Sequence, residues 1–202
     1  MNAARPKIAI VTSSMDGRNA MGTAIFIHKL VTGLVAHKNE LDITLIHQEA
    51  NPNEPLYKEF REIILPHVPT PKFSRPLSEL AFYVKCFFTR EQFDVYHFAH
   101  PFVYPFFFLA PGKKNIITVY DAGALTAGKD LTSTKDKYGP FKWMLLRNLC
   151  DTVIATSQFG KDGLCQVRGF DPAKVAIGYG GAEEIFQATE EKAEIQTYLQ
   201  KQ

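Results

Sequence analysis

Ile8, Ala9, Ile10 and Val11 form a nearly continuous apolar run of the kind that suits a parallel β-strand covered on both faces. Such a strand needs helices above and below its sheet. The run breaks into the polar, glycine-bearing stretch 12–24, after which Ile27, Leu30, Val31 and Leu34 fall at i, i+3, i+4 and i+7. One stripe of that helix can pack back on the sheet. The loop between strand and helix then sits at the carboxyl end of the first strand, where open α/β sheets bind ligands. Gly17 and Gly22 complete neither GxGxxG nor GxxxxGK[ST], so the loop reads equally as a flexible connection or a ligand loop.

The same rhythm recurs along the chain. Leu41, Ile43 and Leu45 alternate with polar neighbours before Ile46, and 63–65 is a third strand candidate stopped by Pro66. Pro66, Pro69, Pro71 and Pro76 punctuate a loop too heavily for regular structure. Leu80, Tyr83, Val84 and Phe87 then take helical spacing within 77–90. Strand-like runs follow at 93–98, 115–120, 152–156 and 174–177, with helical residues at 141–149 and from 158 to about 167. About seven strands separated by helices predict a doubly wound, mostly parallel α/β sheet.

Composition bounds the function. With 202 residues, 46% hydrophobic content and 16 Phe, the chain has enough apolar material for one well-filled core. A net charge of +2 with no basic stripe gives no case for nucleic-acid binding. Cys86, Cys150 and Cys165 match no zinc spacing and fit a reduced, cytoplasmic setting. The N-terminus runs into the first strand without the apolar region of a signal peptide. The greasiest stretch, 101–111, has 11 residues and three prolines, well short of the roughly 20 a membrane-spanning helix needs. Residues 72–90 carry a local balance of +3 interleaved with Phe73, Phe82, Tyr83, Phe87 and Phe88. That segment either docks on an anionic membrane surface or packs its aromatics on the sheet with its charges solvated.

Chemistry-bearing residues gather at strand ends. His97 and His100 with Asp121 offer an acid, a base or hydrogen-bonding groups, while two histidines three apart at a strand end point in different directions and do not suit one metal. Asp121 either orients a substrate hydroxyl or forms a turn. Ser157 sits on a strand-to-helix turn without the GxSxG pattern, so it is expected to cap the helix, whose N–H groups can also face an anion.

Five segments in order resemble glycosyltransferase family 4. Gly22-Thr23-Ala24 stands before Ile25-Phe26-Ile27-His28-Lys29-Leu30 where the family has G-x-G and an aromatic- and Leu-rich helix. Asp94-Val95-Tyr96-His97-Phe98-Ala99-His100-Pro101 is similar to its D-V-x-H-x-H strand end with one extra residue, and Thr118-Val119-Tyr120-Asp121 to its T-V-H-D. The stretch from Cys150 to Asp162 resembles A-D-x-V-I-A-x-S-x-F-x-K-x-D. Asp171-Pro172-Ala173-Lys174-Val175 and then 177–186 resemble P-x-K-V followed by Y-N-G-V-D-x-x-F.

The resemblance implies a Rossmann-like N-terminal, acceptor-side domain over 1–186, one half of a GT-B fold, with 187–202 as a linker helix toward a second domain. It implies retaining transfer of a sugar from a nucleotide-sugar donor to an acceptor hydroxyl. No cofactor or metal is expected. The partners implied are a C-terminal donor-binding half, fused or separately encoded, and a sugar or lipid-linked acceptor; self-association through an uncovered apolar side is a further expectation, as is attachment to the inner face of the membrane. Tyr120 and Asp121 would lie beside the reacting hydroxyl, with Gly22, Thr23, His100, Ser157 and Gly181 as substrate-binding positions. Ala24, Tyr120 and Gly180 depart from the family's glycine, histidine and asparagine, which leaves open a non-catalytic module that binds a glycan or lipid-linked acceptor and recruits an enzyme.

Overall fold

The computed structural model describes residues 4–16, 22–51, 54–66, 81–82, 84–86, 88, 93–99, 112–120 and 139–180. Its elements are β1 (Lys7–Val11), α1 (Gly22–Leu34), β2 (Asp42–His47), β3 (Arg61–Ile64), β4 (Phe93–Phe98), β5 (Gly112–Val119), α2 (Gly139–Leu149), β6 (Thr152–Ala155), α3 (Gln158–Gln166) and β7 (Val175–Ile177). The seven strands form one sheet in the order β3-β2-β1-β4-β5-β6-β7, and every pairing is parallel. β1 lies near the middle, between β2 and β4, as its two-sided burial requires.

Alternation along the strands divides the core. Ala9 and Val11 of β1 join the larger cluster, which holds Phe93, Tyr96 and Phe98 of β4, Ile117 and Val119 of β5, and Leu146 and Leu164 from α2 and α3. Ile10 points the other way, into a smaller cluster with Ile27 and Val31 of α1, Ile43 and Leu45 of β2, and Tyr57. Ile27 and Val31 are fully buried, while Leu30 and Leu34 at the edge of the expected stripe are half-buried. Cutting Ile27 to Ala would cost about 2–5 kcal/mol, because the sheet beneath it cannot collapse into the void.

Several boundaries differ from the sequence expectation. β3 is Arg61–Ile64 rather than 63–65, because its partners Thr44 to His47 extend pairing to residues whose side chains face water. An edge strand with exposed Arg61 and Glu62 is blunted against pairing with another chain. β5 begins at Gly112 rather than 115, where Lys113 meets Asp94 of β4 at 2.6 Å. The last strand shrinks to Val175–Ile177 because Pro172–Lys174 forms a 3-10 turn capped by the Asp171 carboxylate, which accepts from Ala173 N–H at 2.9 Å.

The expected helix 77–90 and the basic-aromatic segment 72–90 lie mostly outside the described residues. Within them Phe82 and Cys86 are buried in the larger core, Phe88 is exposed, and Lys85 Nζ donates to the Pro66 carbonyl at 2.6 Å. Among the described residues no helix is long and apolar enough to cross a membrane. None of the three cysteines is in a disulfide, and burial pushes Cys86 and Cys150 up to about 12. The expected linker helix 187–202 lies outside the described residues.

Candidate functional site

Register places three residues side by side on the carboxyl rim of the sheet. Val119 of β5 pairs with Ala155 of β6, and Ala155 pairs with Ile177 of β7. The next residues, Tyr120, Thr156 and Gly178, therefore leave the sheet at one level. Helix α1 leans toward this rim, and between them lie two joined depressions. One, of about 240 Å³, is lined by Gly22, Ile25, Phe26, Lys29, Tyr120, Thr156 and Gly180. The other, of about 360 Å³, is lined by Phe26, Lys29, Leu30, Ile154, Gly178, Tyr179 and Gly180. Phe26, Lys29 and Gly180 belong to both.

Glycine makes the cleft possible. At Gly178 a Cβ would stand 2.8 Å from Ile154 Cγ2, and at Gly180 one would stand 3.4 Å from the Phe26 ring. A side chain at either position would fill the cleft or push its wall. Gly22 has the opposite surroundings: a Cβ there would meet nothing within 4 Å, so the first residue of α1 borders open space. The first turn of α1 carries no acidic residue. Thr23 beside it is half-buried. Lys29 is the single charged side chain among the lining residues, and no hydrogen bond or ion pair engages it among the described residues.

Tyr120 is held from three sides. Its hydroxyl donates to the Ala99 carbonyl at 2.6 Å, its ring meets Phe26 edge-on at 5.2 Å, and its own carbonyl accepts from Thr156 Oγ1 at 3.1 Å. Burial pushes the phenol above its usual range, so it stays protonated at neutral pH and keeps donating. Its place on the rim agrees with the sequence expectation, while its hydroxyl is committed to the end of β4. Ser157 caps α3: its Oγ accepts from Gly160 N–H at 3.0 Å, the role its position predicts, and the cleft is lined by its neighbour Thr156 instead. Asp121, His100 and Gly181 lie outside the described residues.

His97 sits inside the sheet rather than on the rim. Its Nε2 lies 2.9 Å from Thr118 Oγ1, and burial pushes the ring down to about 4. It is a neutral, structural group at physiological pH, facing β5 and not solvent. Sequence reasoning gave no role to Thr156, Phe26 or Lys29. Thr156 was findable as the residue after a strand end, whereas Phe26 and Lys29 enter only because α1 leans that way.

The sequence pattern of Glycosyltransferase Family 4 matches residues 21–183. The chain belongs to that family. No curated protein sequence matches it. Among solved structures, sucrose-phosphate synthase from Thermosynechococcus elongatus superposes with a TM-score of 0.61 at 16% identity, over 97% of this chain and 53% of the synthase. Anabaena HepE in complex with UDP-glucose gives 0.57 at 14% identity, over 96% of this chain and 49% of HepE. A shorter chain of the same synthase is 96% covered, with a TM-score of 0.54 at 14% identity. These likenesses establish the fold: a Rossmann-like domain that matches about half of a GT-B glycosyltransferase. This family 4 chain spans about half the length of the full solved enzymes it matches.

Proposed function

We propose that this family 4 domain is the acceptor-side half of a glycosyltransferase, which moves a sugar from a nucleotide-sugar donor to an acceptor hydroxyl with retention. It works only with a donor-binding half. The observation that carries this reading is the open cleft at the carboxyl rim. Its floor of Gly178 and Gly180 and its open corner at Gly22 leave room for a ligand where α/β sheets bind one. The match to half of HepE, which was solved with UDP-glucose, supports a second half that completes the enzyme.

The chain's own residues have distinct parts in this scheme. Gly22 and Thr23 let the donor phosphate or the acceptor approach the start of α1. Tyr120 braces β4 against β5, and Asp121 beside it orients the acceptor hydroxyl. His100 and Gly181 complete the acceptor contacts. Mixing the chain with a family 4 donor-binding half and following sugar transfer by mass spectrometry tests the assignment. Asp121→Ala is expected to lose most of the transfer, and an unchanged rate removes Asp121 from the mechanism.

One observation favours a second reading. The Tyr120 hydroxyl, at the position where the family resemblance has histidine, is engaged by Ala99 and not turned to a substrate. A binding module that recruits a separate enzyme would retain glycan binding and show no transfer with any donor-binding half.

A further inference from the structure

One buried charged group takes no part in the cleft. His47 closes β2, its ring is fully buried, and both ring nitrogens meet oxygen. Nδ1 lies 2.9 Å from the Glu49 carbonyl oxygen and 3.2 Å from Asp16 Oδ1, and Nε2 lies 3.0 Å from Glu62 Oε2. The carbonyl and the ionised carboxylates only accept hydrogen bonds. A neutral imidazole has one N–H and would turn a lone pair toward oxygen on its other side; only the imidazolium satisfies both.

The surroundings reinforce that state. The Tyr57 ring stacks on His47 at 4.2 Å and 12°, offering a π face to the cation. Tyr57 also donates its hydroxyl proton to Asp16 Oδ1 at 3.1 Å, and burial followed by the Asp16 charge holds that phenol protonated. Asp16 Oδ2 accepts from the Gln48 and Glu49 amides at 2.8 and 3.3 Å. Burial alone would strip the imidazolium of its proton. The Asp16 hydrogen bond and charge, with the Glu49 carbonyl and Glu62, outweigh burial and raise the ring above its ordinary range.

The cluster reaches α1 by two routes. Asp16 follows the 3-10 turn Ser13–Met15 on the connection from β1 to α1, and Met15 packs in the same small core as Ile27 and Val31. Glu54 caps the 3-10 turn that carries Tyr57, and it pairs with His28 of α1 at 3.5 Å. Thus Asp16 after β1, Glu62 of β3, Tyr57 and Glu54 of the Pro55–Lys58 turn, and His28 of α1 are the titratable groups around His47.

We propose that the His47 imidazolium is a positioning residue and a pH-sensitive clamp: held between Asp16 and Glu62, it seats α1 and so sets the cleft wall made by Phe26 and Lys29, which loosens when the ring loses its proton. That this wall contacts an acceptor rests on the proposed function. The clamp itself does not.

The chain labelled with ¹⁵N in its histidines and backbone amides tests this directly. At pH 6 both His47 ring nitrogens are expected to carry protons, with a midpoint above 6.5, the ordinary value for histidine. The Gln48, Glu49, Phe26 and Lys29 amides should move with that midpoint. His28 lies two residues from Phe26 on α1, so Glu62→Gln is used to tie the response to His47. This variant, altered at a partly exposed side chain, should lower the His47 midpoint and carry the Phe26 and Lys29 shifts with it. A singly protonated His47 at pH 6, or cleft amides whose midpoint stays in place when that of His47 falls in Glu62→Gln, overturns the clamp. If the chain shows the clamp and yet transfers no sugar with any donor-binding half, the acceptor reading fails and the clamp stands.

Discussion

Two corners of the same sheet end are built in opposite ways. At β5, β6 and β7 the rim is glycine, aromatic and threonine, with Lys29, which has no ion-pair partner among the described residues, beside an open cleft. At β1, β2 and β3 the rim is closed by its own charges, Asp16, His47 and Glu62, sealed by the Tyr57 ring. The closed corner spends its polar groups on each other and so holds α1 still, whereas the open corner leaves backbone and a single cation for something outside the domain. A rigid corner beside a vacant one suits a half-site completed by a second body.

The largest expected effect lies at the closed corner. His47→Ala strips nearly buried Asp16 of its counter-charge and should destabilise the fold by about 3 kcal/mol, measured by urea denaturation. A loss no larger than that of an exposed-site control would mean that the corner is not locked.

The pH profile sharpens the comparison with a second histidine. His47 binds its proton more tightly folded than unfolded, so its contribution is complete below pH 6.5 and is lost as pH rises through the folded-state value. His97 has the opposite sign. The fold keeps it neutral down to about 4, so the unfolded chain takes up a proton first and stability falls by about 3 kcal/mol between pH 6.5 and 4. Denaturation midpoints across pH 4–9 should peak near 6.5. His47→Gln should flatten only the alkaline side, and an alkaline fall that survives in it would assign that fall to other groups.

The open corner should respond differently. Gly178→Ala sets a Cβ 2.8 Å from Ile154 Cγ2 and is expected to cost about 1–3 kcal/mol while narrowing the larger depression. Unchanged stability would show that the loop after β7 yields easily. The smallest change is Ser157→Ala, which removes the α3 cap at about 1 kcal/mol and should leave ligand binding at the cleft intact. Weakened glycan binding without further loss of stability would give the Ser157 hydroxyl a part in recognition beyond its cap.

The contrast also explains what could be read in advance. Ser157 was legible because a cap is local: a hydroxyl three residues from the N–H it accepts. β1 and α1 were legible because burial imposes a period on neighbouring residues. The charged corner had no such signature. Asp16, His47, Tyr57 and Glu62 come from four separate pieces of chain, and only the parallel registers of β1 on β2 and β2 on β3 bring them together. The start of β5 was missed for a related reason, since Lys113 and Lys114 look like loop until Asp94 and Val95 pair beside them.

The amino-acid order by itself determined the alternation of strand and helix, the two-sided burial of β1, the cap at Ser157 and the family's ordered motifs, because each depends on residues close together in the chain. Tertiary structure decided the rest. It placed Tyr120, Thr156 and Gly178 at one level, turned His97 inward and neutral, and drew α1 against the rim so that Phe26 and Lys29 became a wall. Strand register and helix seating are collective results of packing. They select among contacts between distant residues that no local pattern distinguishes.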